Sequence, residues 1–196
     1  MSLADKHACA EVIQTWGLAR DLGRWPELVA TFAPEGEIAV SWFRGPFADF
    51  VERCRQAFAA GNRSKHLLFP SAVRLNGGRA VAETSVVILV RQAIEGVLCD
   101  LTSYGRFLDR MERRDRWVIV ERSAIYEQDR LDPVQPSAAF DAMMQAAEVA
   151  QFPAPYRYMA FRVLAAGRTL APPVHCDGTP ETDALYARYN RWLEQG

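Results

Sequence analysis

The stretch from Lys65 to Ile125 constrains the fold more than any other part of the chain. It contains apolar, β-branched runs separated by turn residues, notably Asn76-Gly77-Gly78 and Gly96, and it ends in Trp117 to Ile125 after a charged tip. Runs of this kind with short turns are typical of strands joined in hairpins. The sequence therefore predicts four strands in an antiparallel sheet, with Pro70 at a bulge or edge that helps the sheet to curl.

Three helices are predicted before this sheet. Leu3 to Leu22 carries a helical apolar stripe, and Gly23 follows where a helix C-terminus favours positive φ. A short second helix is predicted from Trp25 to Phe32 and a third from Pro46 to Ala60, with a strand over Glu37 to Phe43 between them. Helices followed by antiparallel strands indicate the α+β class, with the helices gathered on one face of the sheet.

The chain is expected to divide near residue 132. Residues 1–132 are predicted to form a cone-shaped α+β domain, in which N-terminal helices pack a curved sheet around a pocket. Residues 133–196 are predicted to form a helical C-terminal extension, a lid or a dimer arm, with helices over Ser137–Ala150, Pro155–Ala166 and Pro180–Leu193. The segment Val86–Val90 is apolar on both faces, so its second face requires the tail or another subunit. A homodimer through the sheet face is the expected assembly.

Composition excludes several classes of partner. The 23 basic and 24 acidic side chains nearly cancel. The run from Arg110 to Arg116 is interleaved with acids, as in a solvated hairpin tip, so neither nucleic acid nor a membrane is expected. The charged N-terminus does not resemble a signal peptide, and no apolar run is long enough to span a membrane, which predicts a cytoplasmic protein. Four widely spaced cysteines, without a CxxC pair, indicate reduced thiols and no metal site.

Three polar residues are candidates for chemistry. Motifs for serine hydrolases, nucleotide binding and zinc proteases are absent, so an enzyme would use acid–base chemistry without a cofactor. His66 is the only histidine in the sheet region and could be a general base, although a hydrogen-bonded core histidine is the simpler interpretation. Asp21 ends the first helix, where its charge opposes the helix dipole, so it has a partner elsewhere or lies in an exposed turn. Arg122 shares a strand face with apolar residues and requires an anion from the protein or a ligand.

Three segments carry a resemblance to a known family: LARDLGRW, SKHLLFPSAVRLNGGRAVAET and GRFLDRMERRDRWVIVERSAIYEQDRLDPV. In order and spacing they resemble the SnoaL-like branch of the nuclear transport factor 2 superfamily. The chain is similar there to scytalone dehydratase and hexachlorocyclohexane dehydrochlorinase, whose aspartate–histidine pair falls at Asp21 and His66. The pocket arginine of the dehydrochlorinase falls at Arg122. The chain departs from scytalone dehydratase near Val90, where that enzyme has a second histidine, and over Ala39 to Ser41, where it has a tyrosine.

The resemblance implies a small lyase or isomerase of the dehydratase or dehydrohalogenase kind. Asp21 would orient His66, His66 would remove a proton beside a leaving group or carbonyl, and Arg122 would stabilise developing negative charge. Two alternatives are a non-catalytic ligand-binding protein and an accessory subunit of a ring-hydroxylating dioxygenase. The expected ligand is a small apolar or aromatic molecule, bound without a cofactor or metal in a pocket lined by Trp42, Phe69, Tyr104, Phe107 and Tyr126.

Overall fold

The computed structural model describes residues 2–195. The N-terminal part consists of α1 (Leu3–Leu22), α2 (Trp25–Ala30), β1 (Phe32–Val40), β2 (Phe43–Pro46) and α3 (Phe47–Ala59). The strands that follow are β3 (Lys65–Leu68), β4 (Ala72–Asn76), β5 (Arg79–Ile94), β6 (Val97–Arg113) and β7 (Trp117–Pro133). The tail contains α4 (Ala138–Ala146), two single 3₁₀ turns (Val149–Gln151 and Ala154–Tyr156), α5 (Arg157–Ala165), the short strand β8 (His175–Cys176) and α6 (Pro180–Glu194).

Within the described residues the strands form one curved, unclosed sheet in the order β2-β1-β7-β6-β5-β3, with β4 paired to β5 and β8 paired to β7. Its pairs are antiparallel except for β1–β7 and β7–β8, which are parallel. The three long strands β5, β6 and β7 form the centre of the sheet, as the hairpin pattern of the sequence predicts. The predicted α+β class with helices on a curved sheet is confirmed.

Several element boundaries differ from the sequence prediction. The strand predicted over Glu37 to Phe43 ends at Val40, Phe43–Pro46 forms the separate strand β2, and the helix predicted over Ser137–Ala150 ends at Ala146. The segment before Asn76-Gly77-Gly78 was expected to be one strand, but it forms β3 and β4, which pair with successive parts of β5. Proline has no N–H to donate to a strand ladder, and Pro70 lies in the break between them. The first strand begins at Phe32 rather than at Glu37, because α2 already ends at Ala30.

Bulges in β7 decide which of its side chains face the helices. The pairing of β7 with β6 skips Val120 and, further along, Glu127. Each skipped residue reverses the alternation of side chains between the two faces. Trp117 therefore lies in the same core as Tyr126, whereas uninterrupted alternation places these two residues on opposite faces. The bulges also increase the curvature that creates a concave side.

The concave face of the sheet holds the main core. The apolar stripe of α1 contributes Cys9, Ile13 and Trp16, all of which are buried. The helix is capped at both ends, since the Ser2 hydroxyl accepts from a backbone N–H in the first turn and Gly23 has φ 69°. The helical tail covers part of the opposite, convex face.

On that convex face α6 and the sheet form a second core made of Val81, Leu108, Ile125, Leu185, Tyr189 and Leu193. The tail therefore covers a sheet face that the sequence assigned to the tail or to a second subunit. Beyond α6 the same face leaves Leu67 and Leu89 partly exposed. All four cysteines are buried and free. None of the helices within residues 2–195 is both long enough and apolar enough to cross a membrane.

Candidate active site

A cavity of about 770 Å³ lies between the concave face of the sheet, the N-terminal helices and the tail. The helices α1 and α3 contribute one side, and the inward residues of β5 contribute another, among them Ile88 and Val90. The third side comes from Met159 and Arg162 of α5 and from residues 166–169 that follow it. The middle part of the C-terminal extension therefore borders the cavity. Its role as a lid or a dimer arm stays a prediction.

Asp21 and His66 form a buried pair beside this cavity, and His66 is the member of the pair that lines it. Asp21 Oδ1 lies 2.6 Å from His66 Nδ1, and Asp21 Oδ2 accepts the backbone N–H of His66 at 2.7 Å. The two side chains are 3% and 9% exposed. An ionised carboxylate only accepts hydrogen bonds, so Nδ1 of the neutral ring carries the proton and Nε2 presents a lone pair. No described residue hydrogen-bonds to Nε2, and His66 lines the cavity.

Local structure explains how this pair forms. The left-handed turn at Gly23 ends α1 just after Asp21 and leaves the carboxylate beside the first residues of β3. A carboxylate in the last turn of a helix is unfavourable. Here two hydrogen bonds from His66 and the ammonium group of Lys65, 3.8 Å away, offset that cost. The neighbouring strand β3 therefore stabilises the carboxylate that the sequence places at the negative end of the helix dipole.

Burial lowers the pKa of His66 below its ordinary value of about 6.5. The hydrogen bond and the charge of Asp21 raise this pKa, but they do not outweigh burial, and the positive charges of Arg20 and Arg122 lower it further. His66 is therefore a neutral imidazole at pH 7. That is the state in which a histidine accepts a proton as a general base.

Arg122 does not line the cavity. Its Nε and Nη2 donate to Asp109 at 2.6 and 2.7 Å, and both side chains are fully buried. Its Cζ lies 4.3 Å from the ring centroid of Trp16 and 4.4 Å from that of Phe107. The anion that the sequence required is therefore a protein carboxylate. Direct contact between Arg122 and a reacting group does not fit this position, although its charge acts on His66.

Three of the five aromatic residues predicted to contact a ligand line the cavity, namely Trp42, Phe107 and Tyr126. Phe69 follows β3 and is 51% exposed, outside the cavity. Tyr104 pairs across the sheet with Val87, next to the inward Ile88, so it lies on the convex face. The structure does not bring Phe69 and Tyr104 to the candidate site.

Tyr126 provides a hydrogen-bond donor in the cavity. Its hydroxyl oxygen accepts the backbone N–H of Ser41 at 3.0 Å, which leaves the phenol proton free for a ligand. Burial raises the pKa of Tyr126, so the phenol stays protonated at neutral pH. A protonated phenol can donate to a carbonyl oxygen or to a leaving group.

Sequence reasoning missed several residues of the cavity. Trp16 packs edge-on against His66, with 5.4 Å between ring centroids, and its place in the apolar stripe of α1 was an available signal. Arg162 and Arg168 come from the tail. Their position depends on the docking of α5 against β7, where Asp129 accepts the backbone N–H of Met159 at 2.7 Å. No local pattern in the sequence indicates that contact.

A second cavity of about 830 Å³ lies between α2, the start of β1, the start of α3 and the charged hairpin tip. It contains none of the residues that the sequence indicated for chemistry. Within residues 2–195, no group of three or more His, Cys, Asp or Glu side chains is placed to hold a metal ion.

Comparison with known proteins identifies the family. The model of the SnoaL-like domain matches residues 1–123, which is more than half of the chain and includes every element from α1 to β6 and the start of β7. The chain belongs to the SnoaL-like family. A search of curated proteins gives no match. The family match covers both members of the Asp21–His66 pair, whereas the tail that closes the cavity lies outside it.

Solved structures similar to this SnoaL-like protein share its fold. A candidate scytalone dehydratase from Novosphingobium aromaticivorans has a TM-score of 0.56 at 16% identity, over 69% of this chain and 91% of that one. A protein of unknown function from Mycobacterium tuberculosis has a TM-score of 0.54 at 18% identity, over 87% and 100%. A protein with a cystatin-like fold from Nostoc punctiforme has a TM-score of 0.52 at 16% identity, over 69% and 97%. At these identities the likeness shows the fold alone.

Proposed function

We propose that this SnoaL-like protein is a lyase or isomerase that removes a proton from a small molecule bound in the cavity. The observation that carries the proposal is the 2.6 Å contact between Asp21 Oδ1 and His66 Nδ1, with Nε2 left free of protein partners at the cavity wall. A carboxylate–imidazole pair of this kind is a general base. The aromatic rings that line the cavity, among them Trp16, Trp42 and Phe107, favour a flat apolar or aromatic ligand.

The proposed reaction begins with transfer of a proton from a carbon atom of the ligand to His66 Nε2. In a lyase the electron pair of the broken C–H bond forms a C=C bond as a leaving group departs from the adjacent carbon. In an isomerase the pair moves onto a carbonyl oxygen, and the enolate is reprotonated at another carbon by the imidazolium. Asp21 stabilises the imidazolium, and the Tyr126 phenol donates to the leaving group or the carbonyl oxygen.

The proposal is tested with a panel of β-hydroxy and β-halo aromatic ketones and acids and with unsaturated ketones that can isomerise. Formation of a conjugated product is followed by ultraviolet absorbance. We expect turnover by the wild-type protein, strong loss in His66→Gln and Asp21→Asn, and no change in the control His7→Gln, whose histidine is exposed on α1. Turnover that survives in His66→Gln would overturn the proposal.

Binding of panel compounds without turnover would favour the ligand-binding alternative, in which the unpaired polar groups of the cavity serve recognition only. Co-purification with a larger iron-containing chain would favour the dioxygenase-subunit alternative, which concerns a surface rather than the cavity. The homodimer through the sheet face stays a prediction, and α6 covers part of that face. Cytoplasmic localisation stays a prediction as well.

A further inference from the structure

The charged residues that line the active-site cavity are all basic apart from His66, which is neutral. Its wall contains no aspartate or glutamate, but it contains five arginines: Arg20, Arg53, Arg63, Arg162 and Arg168. In the described part of the chain none of these five forms an ion pair, whereas ten arginines elsewhere do. Asp21 lies behind His66 and bonds to it rather than to an arginine. The cavity is therefore a region of uncompensated positive charge.

Arg162 is the buried member of this group and is 8% exposed. Its Nη1 donates to Gln92 Oε1 at 2.9 Å, its Nη2 approaches Met159 Sδ at 3.4 Å, and its buried Nε has no partner among the described residues. Burial and the neighbouring Arg168 lower the pKa of Arg162 to about 10, which still leaves it charged at neutral pH. A buried charge without a counter-ion is costly, so a ligand anion at this point would be stabilising.

The sheet register places Arg162 and the catalytic pair at different levels of the cavity. His66 pairs across the sheet with Ile88, and Arg162 bonds to Gln92 on the same strand and the same face. Four residues of extended strand separate these two levels by about 13 Å. Trp42 and Tyr126 also line this cavity, and Tyr126 acts on Arg162 electrostatically.

We propose that the substrate carries an oxyanion, of the carboxylate, sulfonate or phosphate-ester class, which Arg162 binds at the end of the cavity away from His66. Arg168 lies at the mouth of the cavity beside Trp42 and adds a second positive charge. The reacting carbon lies at the His66 end. This inference rests on the proposed function for the identity of the ligand as a substrate, but the anion site itself is tested by binding alone.

The test compares charged and neutral probes of the same shape. Dissociation constants for phenylacetate and phenylacetamide are measured by calorimetry on the full chain, with phenylmethanesulfonate and benzyl phosphate as arms that distinguish the type of oxyanion. We expect the wild-type protein to prefer phenylacetate over the amide by about tenfold or more, because hydrogen bonds to charged groups are the strong ones. Equal binding of the acid and the amide would overturn the inference.

Variants locate the site of this preference. In Arg162→Met, which keeps an unbranched side chain of similar length, the preference for phenylacetate should fall about tenfold. It should persist in the control Arg191→Gln, which changes an arginine of α6 outside the cavity. Arg168→Gln, at an exposed position, gives a second readout should Arg162→Met fold poorly, and it should weaken phenylacetate binding less. A preference unchanged in both cavity variants would overturn the inference.

The outcomes for function and for the anion site separate cleanly. Preferential binding of acids that are never turned over would contradict the lyase or isomerase but support the anion site. If neutral ketones are turned over, and analogues that carry a carboxylate bind no more tightly, the result would support the proposed function and contradict the anion site.

Discussion

The cavity and the convex face of the sheet use arginine in opposite ways. On the convex face Arg106 contacts carboxylates of Glu83, Glu127 and Asp177, and Glu121 contacts both Arg110 and Arg188. Two of these pairs, Arg106–Asp177 and Arg188–Glu121, join the sheet to the segment before α6 and to α6 itself. In the cavity the arginines have no carboxylate within ion-pair distance among the described residues. On the convex face the arginines are neutralised by carboxylates of the protein itself, two of these pairs involving the tail. In the cavity the positive charges have no such partner.

The largest expected effect separates activity from stability at the cavity. His66→Gln should lower kcat about 10²- to 10⁴-fold, because it removes the proton acceptor. Stability should change little, since catalytic groups are seldom optimal for stability. The rate is measured on a substrate from the panel, and unfolding is followed by urea titration. Severe unfolding of this variant would instead make His66 a structural hydrogen-bonding residue.

Arg122 provides a second contrast with the cavity arginines, because it is buried and paired with a carboxylate. Arg122→Met should destabilise the protein by about 3–5 kcal/mol, because it leaves the buried carboxylate of Asp109 without its partner. The change is measured by urea unfolding. The double variant Arg122→Met, Asp109→Leu should recover most of this loss, since it removes both charges. A large loss of activity at unchanged stability would instead indicate that Arg122 takes part in the reaction.

The resemblance to the dehydratase and the dehydrochlorinase implied the pairing of Asp21 with His66, whereas local signals marked only the ends of the elements that carry the two residues. Gly23 ends α1 beside Asp21, and the turn before Lys65 precedes β3. The side chains on β7 were harder to place, because the bulge at Val120 reverses the faces and sequence alternation does not show it. The partner of Arg122 lies on a neighbouring strand.

The aromatic lining was predicted in part. Tyr104 and Phe107 lie three residues apart on an unbroken stretch of β6, so alternation alone excludes that both face the cavity. The tail arginines needed the docking of α5 on the sheet, a contact between distant parts of the chain. The sequence thus predicts the individual elements from local patterns, whereas the contact between α5 and the sheet leaves no local pattern.

The pH dependence of activity gives a smaller, directional test. The base must be unprotonated, so kcat/KM should rise with pH through the pKa of His66 and then level off. Because burial lowers this pKa, the inflection of the profile should lie below pH 6.5. Since the unfolded chain binds the proton more tightly than the folded one, stability should also fall as the pH drops below 6.5. A kinetic inflection above pH 6.5 would contradict the neutral buried imidazole.

In Asp21→Asn the inflection should move to lower pH, because the carboxylate that favours the charged ring is gone. The level of the plateau should fall at the same time, since an amide does not hold the tautomer with the proton on Nδ1. The pH profile of kcat/KM measures both changes. An unchanged profile would show that Asp21 is not coupled to the base.

The smallest expected effect is the sharpest test of the comparison, because only the variant on the convex face should lose stability. Arg106→Gln should lower the free energy of unfolding by about 1 kcal/mol, since three partly exposed carboxylates lose a shared partner. Arg162→Met, without ligand, should leave it unchanged or raise it by up to about 1 kcal/mol, since an unpaired buried charge is replaced by an apolar chain. Both are measured by urea unfolding.

Added phenylacetate extends this sign test. A ligand that binds only the folded state stabilises it. Phenylacetate should therefore raise the stability of the wild-type protein and of Arg106→Gln, but much less that of Arg162→Met. If Arg162→Met destabilises the ligand-free protein as much as Arg106→Gln does, the two regions use arginine in the same way. Arg162 would then be a structural residue of the tail, and the positive charge of the cavity would need another explanation.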